Sequence, residues 1–114
     1  MMLLLPKNVK FAKSYSRRKR LFRVQNIPNI VLGNFSLVSF ENGKINNKQL
    51  EGVRRVLRRI LKKQGKTWLR PFPSSSVTKK PDGARMGKGK GNHKVWVCLV
   101  SKGETLVEIR GCHW

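Results

Sequence analysis

Acidic side chains are scarce in this chain: 5 Asp+Glu among 114 residues, against 26 Lys+Arg. The five are Glu41, Glu51, Asp82, Glu104 and Glu108, and no two of them are spaced for general acid–base work. His93 and His113 have no evident nucleophile or orienting partner, so the pattern argues against an enzyme. Cysteine is limited to Cys98 and Cys112, which cannot form a disulfide framework and read as reduced thiols. No C-x-x-C or H-x-x-x-H spacing is present, and neither a metal nor a cofactor is expected. Long apolar runs are missing too. Met1–Leu5 is stopped by Pro6. It falls short of the roughly 7–15 residues of a signal-peptide core and of the ~18 of a membrane span. No cleavable transit peptide is evident, so an organellar protein of this sequence is expected to be made inside its organelle.

What the chain does have is positive charge. The formal net charge is +21 and the isoelectric point about 11.5. A small domain needs only about 2–8 charges for solubility. Self-repulsion on this scale opposes compactness unless a polyanion is present. Nucleic acid is the default partner of such a chain. The length suits one domain. A hydrophobic content of 39% predicts a small core. We divide the chain into a basic arm over 1–24 and one domain over 25–114.

The arm holds eight Lys/Arg and no acid, with Lys10 and Lys13 leading to the dense run Arg17-Arg18-Lys19-Arg20. Such an arm is either disordered or ordered along phosphates once bound. Its aromatics Phe11, Tyr15 and Phe22 suit base stacking or docking into a core equally well. Residues 29–45 read as strands punctuated by Gly33-Asn34 and Asn42-Gly43. Residues 47–64 read as a helix. Asn46 and Gln49 form a capping box, Leu50, Val53, Leu57, Ile60 and Leu61 make an apolar face that Val56 widens, and Gly65 signals the C-cap. Arg54, Arg55, Arg58, Arg59, Lys62 and Lys63 share the other side, with Glu51 alone near the start. Like charges four residues apart repel. The face is therefore expected to meet an external polyanion rather than only water.

Residues 66–72 read as a strand that Pro71 and Pro73 either confine to an edge or end. Ser74–Ser76 reads as a turn and 77–91 as a long loop. Lys94–Val100, apolar on both faces, reads as a central strand, joined through Lys102-Gly103 to Thr105–Ile109 as a hairpin. Trp68 and Trp96 fit strand cores better than base platforms. In the loop, Arg85-Met86-Gly87-Lys88-Gly89-Lys90-Gly91 alternates glycines with cations. Glycine permits close backbone approach, and the cations make phosphate the expected neighbour. The stretch is no nucleotide-hydrolysing P-loop. Gly83-Ala84-Arg85-Met86-Gly87-Lys88 is one residue short between its glycines, and Gly89 stands where the metal-binding hydroxyl belongs.

These residues also carry a family resemblance. The run Gln64-Gly65-Lys66-Thr67-Trp68-Leu69-Arg70-Pro71-Phe72-Pro73, then Val77-Thr78, Lys80-Pro81 and Arg85–Asn92, resembles the uL16 family of large-subunit ribosomal proteins. Gly43-Lys44-Ile45, Gln49-Leu50-Glu51 and Arg54-Arg55 are similar to that family's first helix and its entry. Pro6-Lys7 and Lys10-Phe11 resemble its arm, and Trp96-Val97 and Leu106-Val107-Glu108-Ile109 its last hairpin. The resemblance implies an α+β fold, with a mixed or antiparallel sheet packed against a basic amphipathic helix. It implies binding to large-subunit rRNA, a place beside tRNA at the A site near the peptidyl transferase centre, and neighbouring large-subunit proteins as partners. Three departures stand out. Residues 17–35 lack the family's glycine-rich stretch, Ser74-Ser75-Ser76 replaces a charged turn, and the family continues past Gly111 into a further helix. From these we expect a mitochondrial member, with bacterial cytoplasm or plastid as the alternative.

The expected rRNA-binding residues are Lys10, Lys13, Arg17, Arg18, Lys19 and Arg20 in the arm. On the helix they are Arg54, Arg55, Arg58, Arg59, Lys62 and Lys63. Beyond it they are Lys66, Arg70, Lys79, Lys80, Arg85, Met86, Gly87, Lys88, Gly89, Lys90 and Gly91. Two rivals remain on sequence grounds. One is a cationic amphipathic protein of membrane surfaces, although its helix has no interfacial Trp. The other is an RNA-processing enzyme, against which the scarce acids weigh.

Overall fold

Residues 92–100 and 105–110 are the most apolar, β-favouring stretches of the chain, and each becomes the middle of a sheet. A computed structural model describes residues 4–13 and 30–111. The elements are β1 (Phe35–Val38), β2 (Gly43–Asn46), α1 (Asn47–Leu61), β3 (Lys66–Leu69), β4 (Ser75–Lys79), β5 (Asn92–Val100) and β6 (Thr105–Arg110). They form two antiparallel three-stranded sheets, ordered β1-β6-β3 and β2-β5-β4. The α+β class expected from sequence is therefore what the chain adopts.

The expected hairpin between β5 and β6 does not form. β5 pairs with β2 through Ile45↔Cys98 and with β4 through Val77↔Val95. β6 pairs with β1 through Leu37↔Val107 and with β3 through Trp68↔Glu108. Both sides of each strand are taken, so the two cannot pair with each other. Their connection still closes as a turn, with Glu104 N–H donating to Ser101 O at 3.1 Å. It docks on the β1–β2 connection instead. Gly103 N–H reaches Ser39 O (2.8 Å), Ser39 N–H reaches Glu104 O (2.9 Å), and Lys102 N–H reaches Asn42 Oδ1 (2.6 Å). The two connections pass from sheet to sheet side by side.

Three other expectations need correction. Ser75 and Ser76 belong to β4 rather than to a turn, because pairing with Val97 and Trp96 outweighs their weak strand preference. The long loop therefore starts after Lys79. The helix ends at Leu61, short of residue 64, with Lys62 as C-cap at φ 51°. Gly65 is not at positive φ; a Cβ there would lie 2.9 Å from Leu61 Cβ, so it serves close packing of the chain on the helix end. The N-terminal expectation stands: Gln49 Oε1 accepts from Asn46 N–H at 2.9 Å in a capping box.

The buried apolar face of α1 is narrower than the sequence stripe. Leu50 is buried and Leu57 and Leu61 are half-buried, while Val53, Val56 and Ile60 stay exposed, Ile60 at 69%. The helix packs on β2, β3 and β5. The core is small, as composition predicts: Leu50, Cys98 and Val100, with Leu4, Ile45 and Leu106 against them. Cys98 behaves as a small apolar residue, and burial pushes its thiol above the usual range.

Candidate nucleic-acid interface

The position of α1 on the sheets decides which of its cations are free. Glu51 is only 4% exposed and lies one turn ahead of Arg54 and Arg55. Arg54 grips both its carboxylate oxygens, with Nε 3.0 Å from Oε2, and Arg55 Nε lies 3.3 Å from Oε1. Hydrogen bonding from Arg54 is the main force holding the Glu51 carboxyl below its ordinary range. The sequence reading of six cations facing outward without an anion is corrected on this point: Arg54 and Arg55 both pair with Glu51, whose single charge offsets one of the two. Arg58, Arg59, Lys62 and Lys63 have no ion pair among the described residues. All four are exposed, and they continue the row to the end of the helix.

Beyond the helix, Lys66 begins β3 and is exposed. Between the last turn of α1 and β3 lies an open cavity of about 660 Å³, into which Arg58, Lys62, Lys63 and Lys66 project beside Trp68. Arg70 is placed differently. Its Nη1 is 2.9 Å from Oε1 of Glu108, which is fully buried in β6. The other Glu108 oxygen accepts the N–H groups of Leu32 (2.6 Å) and Gly33 (2.9 Å). Burial pushes this carboxyl up, but those N–H bonds and the Arg70 charge together hold it below its ordinary value. Arg70 thus has an internal task, which the sequence reading missed. The available signal was an acid at an inward strand position of TLVEI, where a carboxylate requires partners.

The loop after β4 is exposed throughout residues 81–90. It starts with a turn in which Ala84 N–H donates to Pro81 O at 3.1 Å and Gly83 has φ 82°. Gly87, Lys88 and Gly89 then follow one another at φ 102°, 59° and 83°. Glycine takes positive φ without a side-chain penalty, and none of the described residues lies within 4 Å of a Cβ placed at Gly83, Gly87 or Gly89. Gly91 differs: a Cβ there would meet Lys79 C at 2.7 Å and Lys80 N at 2.8 Å. The close approach read from the glycines is thus, at Gly91, an approach of the loop's end to its own beginning.

Side chains expected to meet RNA also hold this loop. Lys80 Nζ donates to Gly87 O, Lys79 Nζ lies 3.3 Å from Asp82 Oδ1, and Lys13 Nζ donates to Lys90 O at 3.3 Å. Arg85, Met86, Lys88 and Lys90 are exposed on it. A second basic cleft, about 470 Å³, opens at its base between Lys79, Lys80 and Lys94. His93 lines the same cleft, its ring 4.6 Å from that of the half-buried Trp96. Lys10 carries its ammonium 5.5 Å from the ring centre of Phe11, which is 75% exposed. Arg17, Arg18, Lys19, Arg20, Tyr15 and Phe22 lie outside the described residues. Among the described residues no group of His, Cys, Asp and Glu is placed to hold a metal ion, and no helix is long and apolar enough to cross a membrane.

The exposed cations thus gather along α1 and on the loop after β4, and comparison with known proteins gives the family. A model of the family described as ribosomal protein L16p/L10e matches residues 6–113. The chain is 46% identical to large ribosomal subunit protein uL16 of Blochmanniella pennsylvanica (strain BPEN), over 96% of this chain and 81% of that protein. It is 43% identical to the uL16 of Wigglesworthia glossinidia brevipalpis, over 94% and 77%. With the uL16 of Buchnera aphidicola subsp. Baizongia pistaciae (strain Bp) the identity is 42%, over 96% and 79%. The row of cations along α1, the glycine-and-lysine loop and the paired sheets beneath them therefore belong to a member of the ribosomal protein L16p/L10e family.

Proposed function

We propose that this chain is a structural, non-enzymatic constituent of the large ribosomal subunit that binds its rRNA through two surfaces. One is the outer side of α1 with Arg58, Arg59, Lys62 and Lys63. The other is the loop over 79–91 with Arg85, Lys88 and Lys90. The observation that carries this reading is the distribution of charge. Among the described residues Glu51, Glu108 and Asp82 are paired with Arg54, Arg55, Arg70 and Lys79. Of the exposed cations outside these pairs, Arg58, Arg59, Lys62 and Lys63 form a row on one surface, and Arg85 and Lys88 lie on the other. Recognition runs through phosphates and RNA shape, because neither surface offers an array of side chains built for reading bases in series.

The finer reading places the exposed loop tip toward tRNA at the A site, with neighbouring large-subunit proteins around the rest. A loop held at its base by Gly91 and Lys80, with bare backbone at its tip, suits insertion between crowded RNA strands. The departure of residues 17–35 from the family pattern favours a mitochondrial ribosome. Sedimentation of a native lysate through sucrose tests the assignment. The chain is expected in the large-subunit peak at moderate salt and still there at high salt. Loss from that peak at ordinary salt would reduce it to a peripheral polyanion binder. Fractionating the lysate into organelles first tests the compartment.

A further inference from the structure

We propose that the cavity between the end of α1 and the open edge of β3 receives one unpaired nucleotide of the RNA. The proposal rests on the rRNA-binding reading above and adds to it a site for a single base. Three independent features meet in this cavity. Its rim is cationic, with Arg58, Lys62 and Lys63 from the helix and Lys66 from the strand. Leu4, Leu61, Trp68 and Leu69 also line it, so apolar and aromatic groups stand beside the cations. Its volume, about 660 Å³, falls within the range of small-ligand sites.

The third feature is backbone. Arg70 N–H donates to Leu106 O at 3.0 Å, which fixes the phase of the β3–β6 ladder. Alternation then turns the N–H and C=O groups of Thr67 and Leu69 away from β6. Among the described residues β3 is the edge of its sheet, so these groups face away from the other strands. Both residues line the cavity. Donors and acceptors at fixed positions beside an aromatic ring are what a base edge needs, and a row of ammonium and guanidinium groups is what its phosphates need.

A paired nucleotide does not fit this description. In a duplex the faces of the base are covered by its neighbours and its pairing edge is used. Only a base turned out of its stack can present a face to Trp68 and an edge to Thr67 and Leu69. The cation rim would repel a basic peptide, so the occupant is an anionic strand.

The test uses the full chain with Trp96→Phe and Trp114→Phe, which leaves Trp68 as its one indole. The probes are a fully paired RNA hairpin and the same hairpin carrying one unpaired adenosine. We expect the bulged hairpin to quench Trp68 fluorescence and to bind about tenfold more tightly than the paired one, consistent with the strength of base–aromatic stacking. Trp68→Leu should erase that preference. Lys62→Gln with Lys66→Gln, at two exposed positions that leave the apolar lining intact, should weaken it. Far-UV circular dichroism checks that each variant is folded. Equal binding of both hairpins without quenching would overturn the nucleotide site and leave rRNA binding standing. Binding of neither would overturn both.

Discussion

Neutralising Arg58, Arg59, Lys62 and Lys63 together to Gln removes the helix cations that no carboxylate of the described residues compensates. Each phosphate contact made by such a cation contributes about 0.7–0.9 to the slope of log K against log salt. If all four lie on phosphates, the slope falls by about 3. A fourfold rise in salt then weakens the unaltered chain roughly 60-fold more than the variant. The assay is binding to an rRNA fragment that the chain retains, measured by filter retention or anisotropy across a salt series. Arg54→Gln is the internal control. Its guanidinium is forked on Glu51, so its loss should leave the slope nearly unchanged, well under the about 0.7–0.9 of one phosphate contact, while weakening the helix. Parallel salt lines for the unaltered chain and the fourfold variant would refute the assignment of this helix side to phosphate. A loss of about 0.7–0.9 in slope with Arg54 alone would refute the division between free and internally paired cations.

The helix orientation is tested by two truncations. Leu50→Ala should cost about 2–5 kcal/mol, whereas Ile60→Ala should stay within about 0.5 kcal/mol, by urea unfolding; comparable losses would mean that the wider sequence stripe is buried after all. Gly91→Ala forces a Cβ onto the Lys79–Lys80 backbone and should destabilise by about 1–3 kcal/mol. Gly43→Ala, which meets nothing within 4 Å, should be nearly silent in the same denaturation series. Glu108 supplies a pH signature. Its carboxyl titrates below the ordinary 4.5 in the folded chain, so its contribution is whole above about 4.5 and fades as pH falls through the lowered value. Glu108→Gln lacks that component and should show a flatter fall of stability on acidification; parallel curves would contradict the reading.

Sequence showed the parts of this fold that depend on local chemistry. Asn46 and Gln49 announce the helix start because a capping box needs only residues three apart. The two-faced apolar run of β5 implies a central strand, since a side chain on either face needs cover. Pro71 and Pro73, which lack N–H donors, announce the end of β3 at Leu69. What stayed hidden is pairing over long distances. Nothing local distinguishes a turn that folds β5 onto β6 from one that carries the chain into another sheet, because the choice depends on which strands already occupy their sides. β4 was hidden for the same reason: Ser75 and Ser76 become a strand only against Val97 and Trp96. In the interface, sequence identified the cations but not their obligations. Glu51 and Glu108 claim Arg54, Arg55 and Arg70 through packing, and composition counts every cation alike.

The sheet order also governs how the chain comes into being. Every strand pair among the described residues includes β5 or β6, and these two are made after the four strands that they pair with. A nascent chain that has emerged only as far as Gly91 has α1 available to it but none of these strand pairs. β1, β2, β3 and β4 all wait with open edges for partners still unmade. Folding is therefore a late event that closes both sheets together, and such long-range pairing is slow. During that wait the basic chain has exposed strand edges and no sheets.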